Sequence, residues 1–187
     1  MSSGFLPTDY ELPKSLGNYT SLQDGENTVR VLSSAIIGYL YWNNDKKPIR
    51  SKEYPKELIN PRIDKDGKSK VKHFWAFVVF NEHTKTLQVM EITQKTIMEG
   101  VKALVDNTKW GDPKNYDISI TRSGEGLDTT YSVVPNPKEE ISEEIATLYQ
   151  ESDIKLEALY KGEDPFGNAT ATTTAYDEIK AEDIPFN

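Results

Sequence analysis

The run of apolar positions is densest at Lys72–Asn81, KHFWAFVVFN. A strand with one face in water alternates apolar and polar residues, and this stretch does not. Phe74, Ala76, Val78 and Phe80 point one way; His73, Trp75, Phe77 and Val79 point the other. Either both faces are buried, or one offers aromatic surface to something that is not protein.

The rest of the chain can be divided around this stretch. Residues 1–28 are polar and turn-rich, with Pro7, Pro13, Gly17 and Asp24-Gly25, and predict an arm lying over the domain. Thr28 to Asn43 predicts a first strand; Gly38 inside it marks a bend or a close backbone approach. Residues 44–70 are charged and carry Pro48, Pro55, Pro61 and Gly67, a long excursion with a short strand such as Ile49–Tyr54. After the aromatic strand, Glu82 to Lys85 predicts a hairpin loop and Thr86 to Thr93 a returning strand. Gln94 to Asp106 places Ile97, Val101, Leu104 and Val105 at helical spacing, with Thr93 as N-cap. Asn115 to Arg122 alternates, Ser123 to Gly126 turns, and Leu127 to Val134 is a last strand ended by Pro135 and Pro137. Glu139 to Gln150 and Asp153 to Tyr160 read as helices, the first packing through Ile141, Ile145 and Leu148. From Gly162 onward no core is offered, which predicts a disordered linker and acidic tail.

Strand, basic loop, strand, strand, helix, strand, strand is the order of an OB barrel. The expected fold is mainly β: a five-stranded OB-fold barrel with a helix between its third and fourth strands, then C-terminal helices and a disordered acidic tail. The chain divides into an arm (1–28), the barrel (29–135), a helical segment (136–161) and a linker with an acidic tip (162–187). Such barrels bind oligonucleotides or oligosaccharides on the second and third strands and with the first and fourth loops. Here the second strand is the aromatic stretch and the first loop is the basic excursion.

Charge sharpens this picture. The net charge of −8 argues against a nucleic-acid partner until its distribution is considered. Residues 1–135 hold 18 basic and 17 acidic residues; residues 136–187 hold 4 and 13. Positions 46–72 alone hold ten basic residues against four acidic ones. For a binding site the local field outweighs the total. The chain has no cysteine, which excludes disulfides and thiolate metal sites and fits a reducing compartment. No apolar run approaches the roughly 18 residues of a membrane span, and the N-terminus lacks signal-peptide character, so a cytoplasmic protein is expected.

Binding single strands without regard to sequence needs a basic groove and aromatic rings, each stacked base being worth about 1–3 kcal/mol. The candidate rings are Trp42, Trp75, Phe77 and Trp110; the candidate phosphate contacts are Lys46, Lys47, Arg50, Lys70, Lys72 and Arg122. Trp75 and Phe77 fit a base-stacking face, with Phe74, Ala76, Val78 and Phe80 as barrel core. The same residues also fit the inverted assignment, with Trp75 and Phe77 covered by protein. Trp42 fits core or site, and Trp110 fits a site or a lid on the barrel end. His73 and His83 have no ligand cluster around them, and Asp24/Glu26 and Asp112/Asp117 read as turn formers. No catalytic residue, metal or cofactor is expected.

Two features carry a resemblance. Glu182, Asp183, Ile184, Pro185 and Phe186 resemble the acidic tip of bacterial single-stranded DNA-binding proteins, although here Asn187 follows the phenylalanine. The body, from Tyr19–Arg30 through His73–Phe77 to Trp110–Pro113, resembles phage single-stranded DNA-binding proteins over roughly residues 4–135. The resemblance implies an OB fold that coats and protects single-stranded DNA in phage replication, recombination and repair. It also implies that replication or recombination proteins are recruited through the tip, in the host cytoplasm. The alternatives are an RNA-binding OB regulator, a strand-annealing recombination protein forming rings or filaments, and a nuclease or other enzyme, against which the missing carboxylate or histidine cluster argues; a homo-oligomer is compatible with the main reading.

Overall fold

The computed structural model describes residues 17–167. The first sixteen residues of the expected arm, and the linker and tip from residue 168, lie outside the described residues.

The stretch expected as one first strand is two: β1 (Gly25–Val31) and β2 (Ile36–Trp42). Both pair with the same edge of β4 (Lys72–Asn81), Val31 opposite Val79 and Ile36 opposite Ala76. Four residues, 32–35, therefore span the place of two on the partner, a bulge that bends the strand. The Leu32 amide donates to the Val78 carbonyl at 2.9 Å, and the Val78 amide donates to Ser33 Oγ at 2.8 Å. Gly38 answers the expected close approach: a Cβ there would collide with the Ser51 carbonyl and come within 3.1 Å of the Phe74 ring. β3 (Pro48–Ser51) lies within the charged excursion and pairs with β2. The opposite edge of β4 pairs with β5 (Thr86–Ile92) from Trp75 to Asn81. β6 (Tyr116–Ser123) pairs with β1, and β7 (Thr130–Lys138) with β6.

The result is a seven-stranded antiparallel sheet, open rather than closed. This corrects the five-stranded closed barrel. Closure needs β5 to meet β7, and no pairing joins them among the described residues. Two features stand in the way. Residues 18–20 occupy the free edge of β5, where the Thr20 amide donates to the Val89 carbonyl at 3.0 Å and the Val89 amide to the Asn18 carbonyl at 2.8 Å. The helix α1 (Lys95–Asp106) packs on β7 instead, with Gly100 so close to Val133 that a Cβ would sit 2.8 Å from the valine Cβ. The N-cap of α1 is Gln94 rather than Thr93, and no side chain caps it.

The apolar character of β4 on both faces is explained by two separate layers. Phe77 and Val79 face the main core with Val29, Val31, Met90, Ile92, Ile97, Val101, Tyr116, Ile118 and Ile120. Phe74, Ala76, Val78 and Phe80 face the C-terminal segment, where Ile141, Ile145, Tyr149, Leu156, Leu159 and Tyr160 cover them. The covered alternative thus holds for Phe77, while Trp75 on the same face is only half-buried. Burying a large apolar side chain contributes about 1.5–3 kcal/mol, so each layer holds β4 strongly. The expected helix from Glu139 starts later, as α2 (Glu143–Glu151), where Ser142 Oγ accepts from the Ile145 amide at 3.3 Å and Glu143 and Glu144 favour the first turn. The expected helix at 153–160 is a 3-10 turn over Leu156–Lys161.

Candidate nucleic-acid interface

The basic excursion folds back on itself as an ordered finger. Asn43 and Lys47 close the β2–β3 turn, with Lys46 at φ 59°. The returning chain is tied to β2: the Arg62 amide donates to the Trp42 carbonyl at 2.8 Å, and Tyr41 Oη accepts from the Ile59 amide at 3.0 Å. Asn44 and Asn60 bond through both backbone and side chain.

Where this finger joins β4, rings lie side by side. Tyr39 of β2 stands opposite His73 of β4 in the sheet register, with ring centroids 5.2 Å apart. Tyr54, 63% exposed, also meets Tyr39, edge-on at 5.3 Å. The Trp75 indole N–H donates to His73 Nε2 at 3.2 Å. Tyr54, Tyr39, His73 and Trp75 thus form a strip, flanked by Ile37, which is 56% exposed and opposite Trp75. The strip is held by strand pairing and ring contacts, so a base stacking on it meets surface that is already ordered.

Of the rings expected from sequence, Trp75 belongs to this strip and is half-buried. Phe77 does not belong: it is 5% exposed in the main core, so it offers no ring face for stacking in the open. Trp110 packs edge-on against Tyr116, centroids 5.4 Å apart, over the same core, which is the lid arrangement. Trp42 is 45% exposed at the end of β2. By strand alternation it points to the opposite face from Tyr39.

The expected phosphate contacts also divide. Lys46 and Lys47 are exposed at the finger's turn, and Lys72 is exposed at the start of β4. Lys70 sits 3.2 Å from Asp64; the hydrogen bond and charge of Asp64, with Asp66 nearby, hold its ammonium above the usual lysine pKa. Arg50 is corrected. Its side chain is only 9% exposed, and it grips Glu91 through Nε at 2.6 Å and Nη2 at 3.2 Å. Its charge is matched inside the protein. Arg122 lies on β6, two strands from β4, where Nη1 donates to the Leu22 carbonyl at 3.3 Å and Asp24 is 3.9 Å from Nε. The structure does not bring it to the strip.

Tyr39, Tyr54 and His73 were missed from sequence as ring contributors. The signal for His73 was parity, since it shares a strand face with Trp75; Tyr39 and Tyr54 carried none, because only the fold brings Tyr39 against both His73 and Tyr54. The tip residues Glu182, Asp183, Ile184, Pro185 and Phe186 lie outside the described residues. Among the described residues no group of three or more His, Asp or Glu side chains is placed to hold a metal ion, and no helix is long and apolar enough to cross a membrane.

Comparison with known proteins gives one informative likeness. The chain is 29% identical over 139 residues to a protein of Escherichia phage T5 described as "Probable ssDNA-binding protein". The match covers 62% of this chain and 53% of that protein, so the chain spans about half the length of its curated relative. No family model matches, and no solved structure matches.

Proposed function

We propose that this protein binds single-stranded DNA without regard to sequence, as a non-enzymatic coating protein of phage DNA replication, recombination and repair. The observation that carries this is the strip Tyr54–Tyr39–His73–Trp75, lying beside a finger rich in Lys and Arg. Every base has a π-face, so a row of rings binds all of them, while lysines track the phosphates. The description of the phage T5 relative supports the same class of ligand. The pairing order β5-β4-β1-β6-β7 supports an OB-type ancestry. It matches the strand neighbours of that fold, opened between the third and fifth strands.

The acidic tip at 182–186 then recruits replication or recombination proteins through Ile184, Pro185 and Phe186, and the acidic arm competes with DNA for the basic finger. The test is tryptophan fluorescence titration with oligo-dT, with a duplex of the same length and with a matched ribo-oligomer. Quenching by oligo-dT at concentrations where the duplex has no effect is expected. An equal or stronger response to the ribo-oligomer favours an RNA ligand, and no response to any of the three defeats the stacking assignment.

A further inference from the structure

The strip does not end at Trp75. The same indole forms one wall of a cleft of about 390 Å³, whose other walls are Phe77, the bulge residues Ser33–Ala35, Val101 and Val105 of α1, and Asp112–Lys114. This is within the size range of small-ligand pockets, roughly 300–1,000 Å³. The few exposed atoms of Phe77, otherwise in the core, line this cleft. Val105, 48% exposed, leaves its apolar side open to the mouth. Several polar groups around the cleft are already engaged: Ser33 Oγ accepts from the Val78 amide and donates to the Ser34 carbonyl, and Asp112 accepts from the Lys114 amide and pairs with its ammonium. The interior is therefore mostly apolar and aromatic, with Lys114 at the rim held 3.4 Å from the Asp112 carboxylate. That suits a flat, uncharged heteroaromatic ring whose own polar edge stays toward solvent.

We propose that this cleft takes a single unstacked nucleobase from a strand lying along the strip. The assignment rests on the single-stranded DNA function proposed above and deepens it. Three or more bases stack in the open on Tyr54, Tyr39 and His73, and the chain then turns one base inward against Trp75 and Phe77. A strand so anchored at one end is held in register and direction, which stacking on an open surface alone does not provide. The bulge at 32–35 gains a role: it carries the backbone away from β4 where the cleft opens.

The test uses the full chain and two substitutions that enter the cleft from different elements, Ala35→Phe from the exposed bulge and Val105→Asp from α1. Tyr39→Ala serves as the control on the strip. Affinity for oligo-dT is measured by anisotropy, and folding by circular dichroism and melting temperature. Both cleft variants are expected to fold and to bind roughly 5- to 150-fold more weakly, the loss of one stacked base. If one variant fails to fold, the other decides. Wild-type affinity in a folded cleft variant, with weakened binding by Tyr39→Ala, overturns the cleft and leaves the strip standing. Wild-type protein that does not bind oligo-dT at all overturns both.

Discussion

Tyr39 and His73 face each other across the β2–β4 pair with ring centroids 5.2 Å apart, although 34 positions separate them in the chain. This contact joins the basic finger to the aromatic strand. Tyr54 extends it on one side and Trp75 on the other, which makes a row of rings out of residues from three segments.

Removing a ring from that row lowers affinity without unfolding the protein. Tyr39→Ala and Tyr54→Ala are each expected to weaken oligo-dT binding by about 1–3 kcal/mol. Tyr54 is 63% exposed, so its loss leaves the melting temperature nearly unchanged. Phe77→Ala is expected to behave differently. Its ring is in the main core, and emptying such a site costs about 3–5 kcal/mol of stability, read as a fall in the denaturant midpoint.

Salt dependence separates the lysines from Arg50. Replacing Lys46 and Lys47 by alanine is expected to flatten the plot of log affinity against log salt by roughly 0.7 per lost phosphate contact. All homopolymers are expected to weaken alike. A salt series by anisotropy checks both points.

Arg50→Ala is expected to reduce stability rather than the salt slope. It would leave the Glu91 carboxylate, 20% exposed, without the guanidinium that grips it through two nitrogens. Breaking a mostly buried pair by removing one partner costs on the order of 3 kcal/mol. Adding Glu91→Ala to Arg50→Ala is expected to recover part of that loss, since no unpaired charge then remains; thermal melts of the three variants show it.

Ending the chain after Gly167 is expected to preserve the fold, because among the described residues Leu159, Tyr160 and Phe166 already pack on the Phe74 and Ala76 face. The effect on DNA binding is bounded by charge. Residues 136–167 hold 9 acidic and 3 basic residues, against 4 and 1 for residues 168–187. Most of the negative arm thus belongs to the segment packed on β4, where Glu157 already pairs with Lys52 of the finger at 3.0 Å. The truncated protein is expected to bind oligo-dT a few-fold more tightly at low salt, the gain vanishing near 1 M, where the Debye length is about 3 Å. Equal affinity at every salt concentration would rule out competition by residues 168–187.

The order of elements was legible in the chain, because strand alternation and helical spacing are local and need no knowledge of neighbours. The parity of β4, the close approach at Gly38 and the helix between β5 and β6 all follow from such short-range patterns. The apolarity of Lys72–Asn81 on both faces was legible too, but it fitted either two buried faces or one aromatic face offered to a ligand. What covers each face was decided only by the tertiary structure. It sets Phe77 inside and lays Leu159 over Phe74, because long-range packing, not periodicity, selects the partner layer. The same holds for charge. Arg50 reads as one more cation in a basic run until the fold brings Glu91 against it from a strand 41 residues away. Sequence alone also left the sheet's edges undetermined: residues 18–20 and α1 take the places through which β5 and β7 would have closed a barrel.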